Sequence, residues 1–369
     1  MRRLWLGLAA MFIAATFCAG NAAWGAETRF TGQDLILRGL NASYRLRFSE
    51  AREIFSRLAS EYPSSPAGVF YTAAIDSGMA ESDMRWRMVA RLYADTEPPR
   101  RTVRKADEIA KNLNGTIARC RAMLQRNPND FEALFYMAGS YAFLARVEMH
   151  GYNLFSAMSY GKKSAGYFDK LLERYPDNGD AMIGPGIYKY YVGKLPKPMQ
   201  WLVWMLGLSG TKEEGMRLVV RAHETAALSK IEAADFIARS YYLHDKDYPK
   251  ALQWADTLER EAPDAPLADF TRLFAYHNTK SLDNEEATLI KLMEKLQTID
   301  PETRRDWEPL MLFALGTVSY KKLKIGDARS YFTNALAVAK IDPWLAGEVS
   351  NHLKRADYAA RQMKPAVKK

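Results

Sequence analysis

The sequence predicts an all-α protein built from repeated helical hairpins, and three observations support this. Glycine (22) and proline (16) are below their average frequencies in the 369 residues, which argues against a loop-rich all-β fold. Prolines recur directly after runs with helical apolar spacing, and proline ends helices because it lacks an N–H. Small and bulky residues recur at helical spacing, so paired helices can approach closely. Apolar residues make up 48% of the chain, which excludes a disordered or collagen-like protein.

Residues 1–26 have the three parts of a secretory signal peptide. Arg2 and Arg3 form its positive start, residues 4–19 are apolar and uncharged, and small residues follow up to Ala26. The apolar stretch is shorter than the ~20 residues that a spanning helix needs. We therefore expect an exported, periplasmic protein, with an uncleaved N-terminal anchor as the alternative.

The helix-ending prolines divide the chain into units. They are separated by one or two lengths of about 34 residues plus short insertions, a period typical of helical repeat proteins. Each unit reads as a pair of helices joined by a turn. The prolines are Pro63, Pro128, Pro176, Pro263, Pro301 and Pro343.

The units resemble the tetratricopeptide repeat (TPR), which has Leu-Gly at its seventh and eighth positions, Ala at the twentieth and an aromatic at the twenty-fourth. Residues 32–63 match at Leu35, Gly39, Ala51, Phe55, Leu58 and Pro63. Residues 309–335 match at Leu312, Leu315, Gly316, Ala328, Phe332 and Ala335. Residues 131–176 and 232–263 match in part. The resemblance implies a right-handed solenoid of stacked hairpins with a concave groove.

This resemblance gives an expected organisation of the chain. The segments are a signal peptide (1–26), N-terminal repeats (27–183), an irregular apolar helical insertion (184–228), C-terminal repeats (229–343), a capping helix (344–363) and a disordered tail (364–369). The insertion is also faintly similar to the middle of the eukaryotic tetratricopeptide-repeat-protein-thirty-nine family, which implies only that it is helical.

The insertion contains an apolar run at residues 201–208 that includes Trp201 and Trp204. One interpretation is a buried helix between repeats. The other is a lid over the groove or a segment that lies in a membrane interface, where tryptophan is favoured. Lys194 and Lys197 next to the run would suit anionic headgroups.

Basic residues are concentrated in residues 85–126, while the whole chain has a net charge of +9. A local basic patch attracts anionic partners, which in an envelope would be acidic proteins, phospholipid or cell-wall polymers rather than nucleic acid. The alternative is an ordinary solvated helix face. The candidate anion-binding residues are Arg85, Arg87, Arg91, Arg100, Arg101, Arg104 and Lys105.

No sequence motif points to catalysis. The histidines are far apart and lack metal-ligand spacing, and no phosphate loop or serine-nucleophile motif is present. Cys18 lies in the predicted signal peptide, so Cys120 is left without a disulfide or zinc partner. Cys120 occupies a large-residue position in a second helix and is predicted to be buried. We predict a non-enzyme with no cofactor and no metal.

The resemblance also assigns groove residues, because fixed positions of each first helix line the concave face of TPR proteins. The predicted groove residues are Ile36, Tyr44, Phe135, Phe143, Phe236, His244, Phe270, Phe274, His277, Phe313 and Tyr320. An exposed aromatic stripe would bind apolar side chains of a peptide. Alternatively, long helices and the insertion fill the groove and turn the stripe into core.

The leading hypothesis is therefore a non-catalytic scaffold or adaptor of the cell envelope that holds a protein or peptide in its groove. The alternative is a peripheral membrane or lipid-handling protein that uses Trp201, Trp204 and the basic window. The sequence leaves the partner and the oligomeric state open.

Overall fold

The computed structural model of the chain describes residues 30–99, 106–151, 153–205, 209–338 and 340–363. Within these ranges every regular element is a helix, so the predicted all-α solenoid is confirmed. The predicted signal peptide and tail lie outside the described residues, as do Arg100, Arg101, Arg104 and Lys105. None of the described helices is both long enough and apolar enough to cross a membrane.

The described elements run in chain order. They are α1 (Gln33–Tyr44), α2 (Phe48–Glu61), α3 (Ala67–Tyr93), α4 (Ala106–Arg126), α5 (Phe131–His150), α6 (Leu154–Arg174), α7 (Gly179–Gly193), α8 (Lys197–Met205), α9 (Lys212–Thr225), α10 (Lys230–Arg239) with a π-helical turn at Ser240–Asp245, α11 (Tyr248–Glu261), α12 (Leu267–Asn278), α13 (Leu282–Leu296), α14 (Pro301–Lys321), α15 (Ile325–Ala337) and α16 (Pro343–Met363).

The helices pack as consecutive hairpins: α1 with α2, α3 with α4, α5 with α6, α7 with α9, α10 with α11, α12 with α13, and α14 with α15. We call the first helix of each hairpin the A helix and the second the B helix. Each hairpin also packs on the next, and α16 covers α15 at the end of the stack. A single hairpin cannot bury its apolar face alone, so stacking creates the core.

Two of the hairpins are held together by contacts between the predicted glycine of one helix and the predicted phenylalanine of the other. A Cβ at Gly39 in α1 would overlap the ring of Phe55 in α2. Gly316 in α14 and Phe332 in α15 have the same relation in the last hairpin. Both phenylalanines are fully buried, so the missing side chain lets each ring fill the gap between paired helices.

The turns between A and B helices also repeat. Leu46, Lys246, Lys280 and Leu323 each adopt a left-handed conformation with φ between 57° and 60° in four of these turns. In the first turn the N–H of Arg47 donates to the carbonyl of Ala42 at 2.9 Å, which satisfies a carbonyl at the end of α1. The recurrence shows that these units share one backbone geometry as well as a residue pattern.

Helix α3 is 27 residues long and extends beyond its own repeat. Trp86 and Tyr93, in its second half, belong to the same core as Phe270 and Phe313 of the C-terminal repeats. The Trp86 indole Nε1 donates to the carbonyl of Asp306 at 2.8 Å. Helix α3 therefore occupies the concave side of the C-terminal half.

The first hairpin contacts the far end of the chain. Ser49 N donates to Asp300 Oδ2 at 2.8 Å, and Arg47 Nε donates to the carbonyl of Thr298 at 3.0 Å. Arg45 forms an ion pair of 3.0 Å with Asp264. The solenoid thus folds back on itself, and the first hairpin closes part of its concave side.

The irregular region is shorter than the sequence indicates. Helix α7 begins at Gly179 and pairs with α9, so the predicted boundary at residue 184 falls inside a regular hairpin. Backbone approach at Gly215 allows this pairing, since a Cβ there would overlap the backbone of Tyr190. The inserted part is residues 194–211, which contain α8.

Candidate functional site

The aromatic stripe predicted from the TPR resemblance does not form an open surface. Helix α3 covers the C-terminal part of the stripe, and neighbouring repeats pack against most of the remaining residues. This corrects the expectation of an exposed stripe and agrees with the alternative in which long helices fill the groove. The predicted groove residues that are at most 5% exposed are Ile36, Phe236, Phe270, Phe274 and Phe313.

The other predicted groove residues are more exposed to solvent, to different degrees. Tyr44, Phe135, Phe143, His277 and Tyr320 are half-buried, and His244 is exposed.

His277 has a structural contact. Its Nδ1 lies 2.8 Å from Glu285 Oε1, and that buried carboxylate also accepts a 2.6 Å hydrogen bond from the Tyr93 hydroxyl. This network joins the end of α3 to α12 and α13, so it explains why His277 faces inward.

A polar cluster where the N-terminal repeats meet α10 is the candidate site. Its members come from α1 and from four consecutive A helices. We call this cluster the inner site, and it consists of Tyr44, Glu81, Arg146, Tyr191, Glu232 and Arg239.

Ion pairs connect most of the inner site. Arg239 Nη1 lies 2.6 Å from Glu81 Oε1, and Arg146 Nη1 lies 3.5 Å from Glu81 Oε2. The Arg146 guanidinium is 4.6 Å from the centre of the Phe143 ring. Arg146 also donates to the Ser77 hydroxyl. Both arginines are therefore already paired with protein acceptors.

A buried ion pair supports the inner site from behind. Asp235 Oδ2 lies 3.1 Å from Arg85 Nη2 and 3.0 Å from Arg239 Nε. Arg85 and Asp235 are both buried, and the Arg85 guanidinium also lies 5.1 Å from the centre of the Phe270 ring. This pair connects α3 to α10 and sets the position of Arg239.

The two glutamates of the inner site have opposite pKa shifts. Burial disfavours the Glu81 carboxylate, but Arg239, Arg146 and Arg85 outweigh it and lower the pKa of Glu81 to about 2. Burial raises the pKa of Glu232, and the negative charges of Glu81 and Asp235 add to this rise, while the positive charges of Arg146 and Arg239 oppose it.

Glu232 differs from the other charged members because its carboxylate is not paired. It has no hydrogen-bond or ion-pair partner among the residues that the structure describes. Its side chain is exposed to solvent, although surrounding protein raises its pKa by burial. Water therefore reaches the Glu232 side chain although protein surrounds much of its carboxyl group.

Two tyrosines belong to the inner site, Tyr191 near Arg239 and Glu81, and Tyr44 near Glu232. The Tyr191 ring is half-exposed, and its centre lies 5.9 Å from those of both Phe236 and His244. The Tyr44 hydroxyl is buried without a hydrogen-bond partner in the described ranges. Burial raises the pKa of Tyr44, and Glu232 is the next cause. Chemically, the site offers one free carboxylate beside an aromatic face.

Sequence reasoning missed this cluster, although a signal existed. Glu232, Asp235 and Arg239 are spaced by three and four residues, which places them on one face of α10. Glu81 and Arg85 are spaced by four in α3. Charges that share the inward face of otherwise apolar A helices indicate a polar interior.

The described part of the predicted basic patch is not a free cationic surface. Arg85 is buried against Asp235. Arg87 Nη2 and Arg91 Nε lie 2.6 Å and 2.9 Å from Glu97 Oε1. This corrects the anion-binding assignment for these three arginines, since acidic partners from the same chain already pair with them.

Helix α8 is not buried between repeats, contrary to one of the two interpretations of the apolar run. Trp201 and Trp204 are 61% and 64% exposed. The helix lies in the connection between α7 and α9, so no second layer of helices covers it.

One group of side chains has metal-ligand geometry within the described residues. Ligand atoms of Asp95, Glu348 and His352 lie within 4.8 Å of one another. However, Glu348 accepts hydrogen bonds from the backbone N–H groups of Asp95 (2.9 Å) and Thr96 (3.2 Å), and Arg355 pairs with Asp95 at 2.7 Å. We interpret the group as a contact that fastens α16 to the end of α3.

The inner site is better suited to binding than to catalysis. Two carboxylates with opposite pKa shifts can serve as an acid and a base. Here, though, arginines contact both oxygens of Glu81, so this carboxylate is not available to a substrate. Cys120 is buried as predicted, and burial raises the pKa of its thiol to about 12, which keeps it protonated.

Comparisons with known proteins add little to this picture. No protein-family model matches the chain, and no curated protein matches it either. Among solved structures, the chain is similar to yeast Tom70 (10% identity, 86% of this chain and 87% of that one, TM-score 0.33). It is also similar to the human IFIT1 dimer with m7Gppp-AAAA (11%, 90% and 87%, 0.38). A third is a thermophilic TPR protein of Thermus thermophilus (16%, 74% and 99%, 0.27). The TPR-like description rests on the chain's own hairpins, glycine contacts and turns.

Proposed function

We propose that the chain is a non-catalytic protein–protein interaction scaffold of the cell envelope that binds an extended segment of a partner at the inner site. One observation carries the proposal. Glu232 is an unpaired carboxylate at a site whose other charges are paired. A ligand could supply the positively charged partner that this carboxylate lacks within the protein.

The charges of the inner site favour a basic group on the partner. The arginines are already occupied by Glu81 and Asp235, so an acidic ligand would have to displace an existing pair. A lysine side chain or a free amine would instead pair with Glu232. The surrounding protein strengthens this attraction relative to water. The half-exposed Tyr191 ring offers an apolar face for the stem of a lysine.

The proposed envelope location rests on the predicted signal peptide. A periplasmic scaffold would meet partners as extended or unfolded segments of exported proteins, which a concave helical surface can hold. Cell fractionation of the full chain tests this part separately. Recovery in the periplasm supports it, and retention in the cytoplasm refutes it.

Peptide binding can be measured with two defined decapeptide libraries. In one library a central lysine is fixed, and in the other an uncharged norleucine replaces it. We expect the lysine library to bind the full chain at least ten-fold more tightly. Glu232→Gln should reduce lysine binding to the norleucine level. Glu53→Gln, a control on the exposed face of α2, should leave it unchanged.

Two outcomes would refute the assignment. One is equal binding of lysine peptides to the wild type and to Glu232→Gln. The other is equal binding of both libraries to the wild type. Phe236→Ala and Phe270→Ala are unsuitable for this test, because both side chains are core and their loss would destabilise the fold.

A further inference from the structure

An apolar side-chain patch lies on one edge of the solenoid and is separate from the inner site. Trp201, Trp204 and Met205 in α8 are 61%, 64% and 58% exposed. Their spacing of three and one residues places them on a single face of the helix. A group of large exposed apolar side chains indicates an interaction surface, whereas a single exposed apolar residue is common and indicates nothing.

The neighbouring hairpin extends the patch. Met149 at the end of α5 and Phe155 at the start of α6 are 55% and 88% exposed. They flank the turn between an A and a B helix, and α8 lies in the corresponding connection of the next hairpin. Met158 and Leu195 pack in one small apolar cluster, which joins the two connections. We call Met149, Phe155, Trp201, Trp204 and Met205 the edge patch.

The sequence segments that carry the edge patch are basic, although Asp245 lies near Lys194 and Glu148 adjoins Met149. Residues 149–165 and 189–205 contain lysines but no acidic residue. Lys194 and Lys197 are exposed and flank α8. Lys162 is exposed two helical turns after Phe155, so it lies on the same side of α6. Apolar side chains bordered by lysines are complementary to a surface with an apolar interior and anionic headgroups.

We propose that the edge patch binds the surface of an anionic phospholipid bilayer. Helix α8 has nine residues, about 13 Å, so it would lie in the interface rather than span the membrane. Tryptophan suits that depth because its ring is apolar while its N–H reaches water or headgroups. The lysines at the edge would remain among the headgroups.

Lipid is a better occupant than a second copy of the chain. A symmetric contact would bring the lysines of two edges together, and such like charges repel each other. Anionic headgroups would instead neutralise them. The proposal does not depend on peptide binding at the inner site, which shares no residue with the edge patch.

Quenching of tryptophan fluorescence by brominated lipid acyl chains tests insertion at α8. The full chain would carry Trp5→Phe and Trp24→Phe, so that residues of the predicted signal peptide do not contribute. Trp86 and Trp307 are buried and out of reach, and the half-buried Trp254 and Trp344 stay in every variant as a common background. Vesicles would contain phosphatidylglycerol and brominated phosphatidylcholine in equal parts. We expect quenching that Trp201→Ser/Trp204→Ser abolishes.

Two further variants make the test specific. Leu323→Ser/Tyr358→Ser removes exposed apolar side chains elsewhere and should leave quenching unchanged. Lys194→Gln/Lys197→Gln should weaken binding several-fold at low salt and much less at high salt, because salt screens the attraction. Circular dichroism would confirm that every variant keeps its helical content.

Three results would overturn the proposal. The first is absence of quenching, even if the chain floats with vesicles through its N-terminal segment. The second is quenching that persists in Trp201→Ser/Trp204→Ser. The third is a dimer in the absence of lipid that the same variant abolishes, without quenching in the parent protein. In that case the edge patch is an interface between copies.

Discussion

The buried ion pair between Arg85 and Asp235 attaches α3 to α10, and replacing its members one at a time tests whether the filled groove depends on it. The two residues differ in the partners that remain when the other one is replaced. If Arg85 is lost, Asp235 keeps Arg239 at 3.0 Å. If Asp235 is lost, Arg85 keeps the Phe270 ring at 5.1 Å and only the more distant charge of Glu81, and its Nη1 already lacks a hydrogen-bond partner in the described ranges.

The expected magnitudes follow from this asymmetry. Asp235→Asn leaves the buried Arg85 guanidinium without its directly paired carboxylate, which costs about 3–5 kcal/mol of unfolding free energy. Arg85→Met keeps the apolar contact with Phe270 and leaves no buried charge unpaired, so we expect a loss of about 2 kcal/mol. In Arg85→Met/Asp235→Leu both charges disappear, and the loss should be smaller than that of Asp235→Asn alone, since apolar replacements of buried pairs are often neutral.

Urea unfolding followed by far-ultraviolet circular dichroism measures these differences. The double-mutant cycle should give a coupling of at least about 1 kcal/mol, as is usual for residues in direct contact. Equal losses for the two single variants, or losses below about 0.5 kcal/mol for both, would refute the reasoning. Equal losses would mean that the two residues depend on the pair to the same degree, and small losses would mean that apolar packing alone holds α3 in the groove.

Three further predictions concern packing, pH and reactivity. Gly39→Ala should destabilise by about 1–3 kcal/mol because its Cβ would overlap Phe55, whereas Gly347→Ala, with open space around it, should stabilise by about 0.5–1 kcal/mol; urea midpoints compare them, and equal shifts would contradict the packing argument. The folded-state pKa of Glu81, about 2, lies below its ordinary value of 4.5, so its contribution is present above pH 4.5 and lost as pH falls towards 2. Glu81→Gln should therefore remove roughly 2 kcal/mol of the acid-induced loss of stability, and an unchanged pH profile would contradict the ion pairs. Cys120 should react with a thiol reagent only after unfolding, and fast reaction of the native protein would contradict its burial.

The repeat fold could be predicted because its determinants are local. Gly39 and Phe55 lie sixteen positions apart, and the same spacing recurs at Gly316 and Phe332. Such pairs read directly as hairpin contacts, and the structure places both pairs in contact. The Gly–Phe spacing within one stretch of sequence therefore predicts one helical hairpin, and its recurrence along the chain predicts a solenoid of stacked hairpins.

The filling of the groove could not be predicted in the same way. It depends on contacts between residues more than two hundred positions apart, such as Trp86 with Asp306 and Ser49 with Asp300. No local period encodes such pairs. The exposure of Trp201 depends on what stacks beside α8, and the apolar composition of residues 201–208 favours a buried and a surface helix equally.

The distribution of buried and exposed groups indicates where specificity resides in this protein. In the C-terminal half, α3 takes the place that a peptide would occupy in an open solenoid, so the aromatic residues there contribute stability rather than recognition. Helices α7 and α10 keep the half-exposed Tyr191 and the unpaired Glu232 at the inner site. The tryptophans of α8 belong to the separate edge patch. The two groups share no residue, so variants at Glu232 and at Trp201 should separate peptide binding from lipid binding in the same chain.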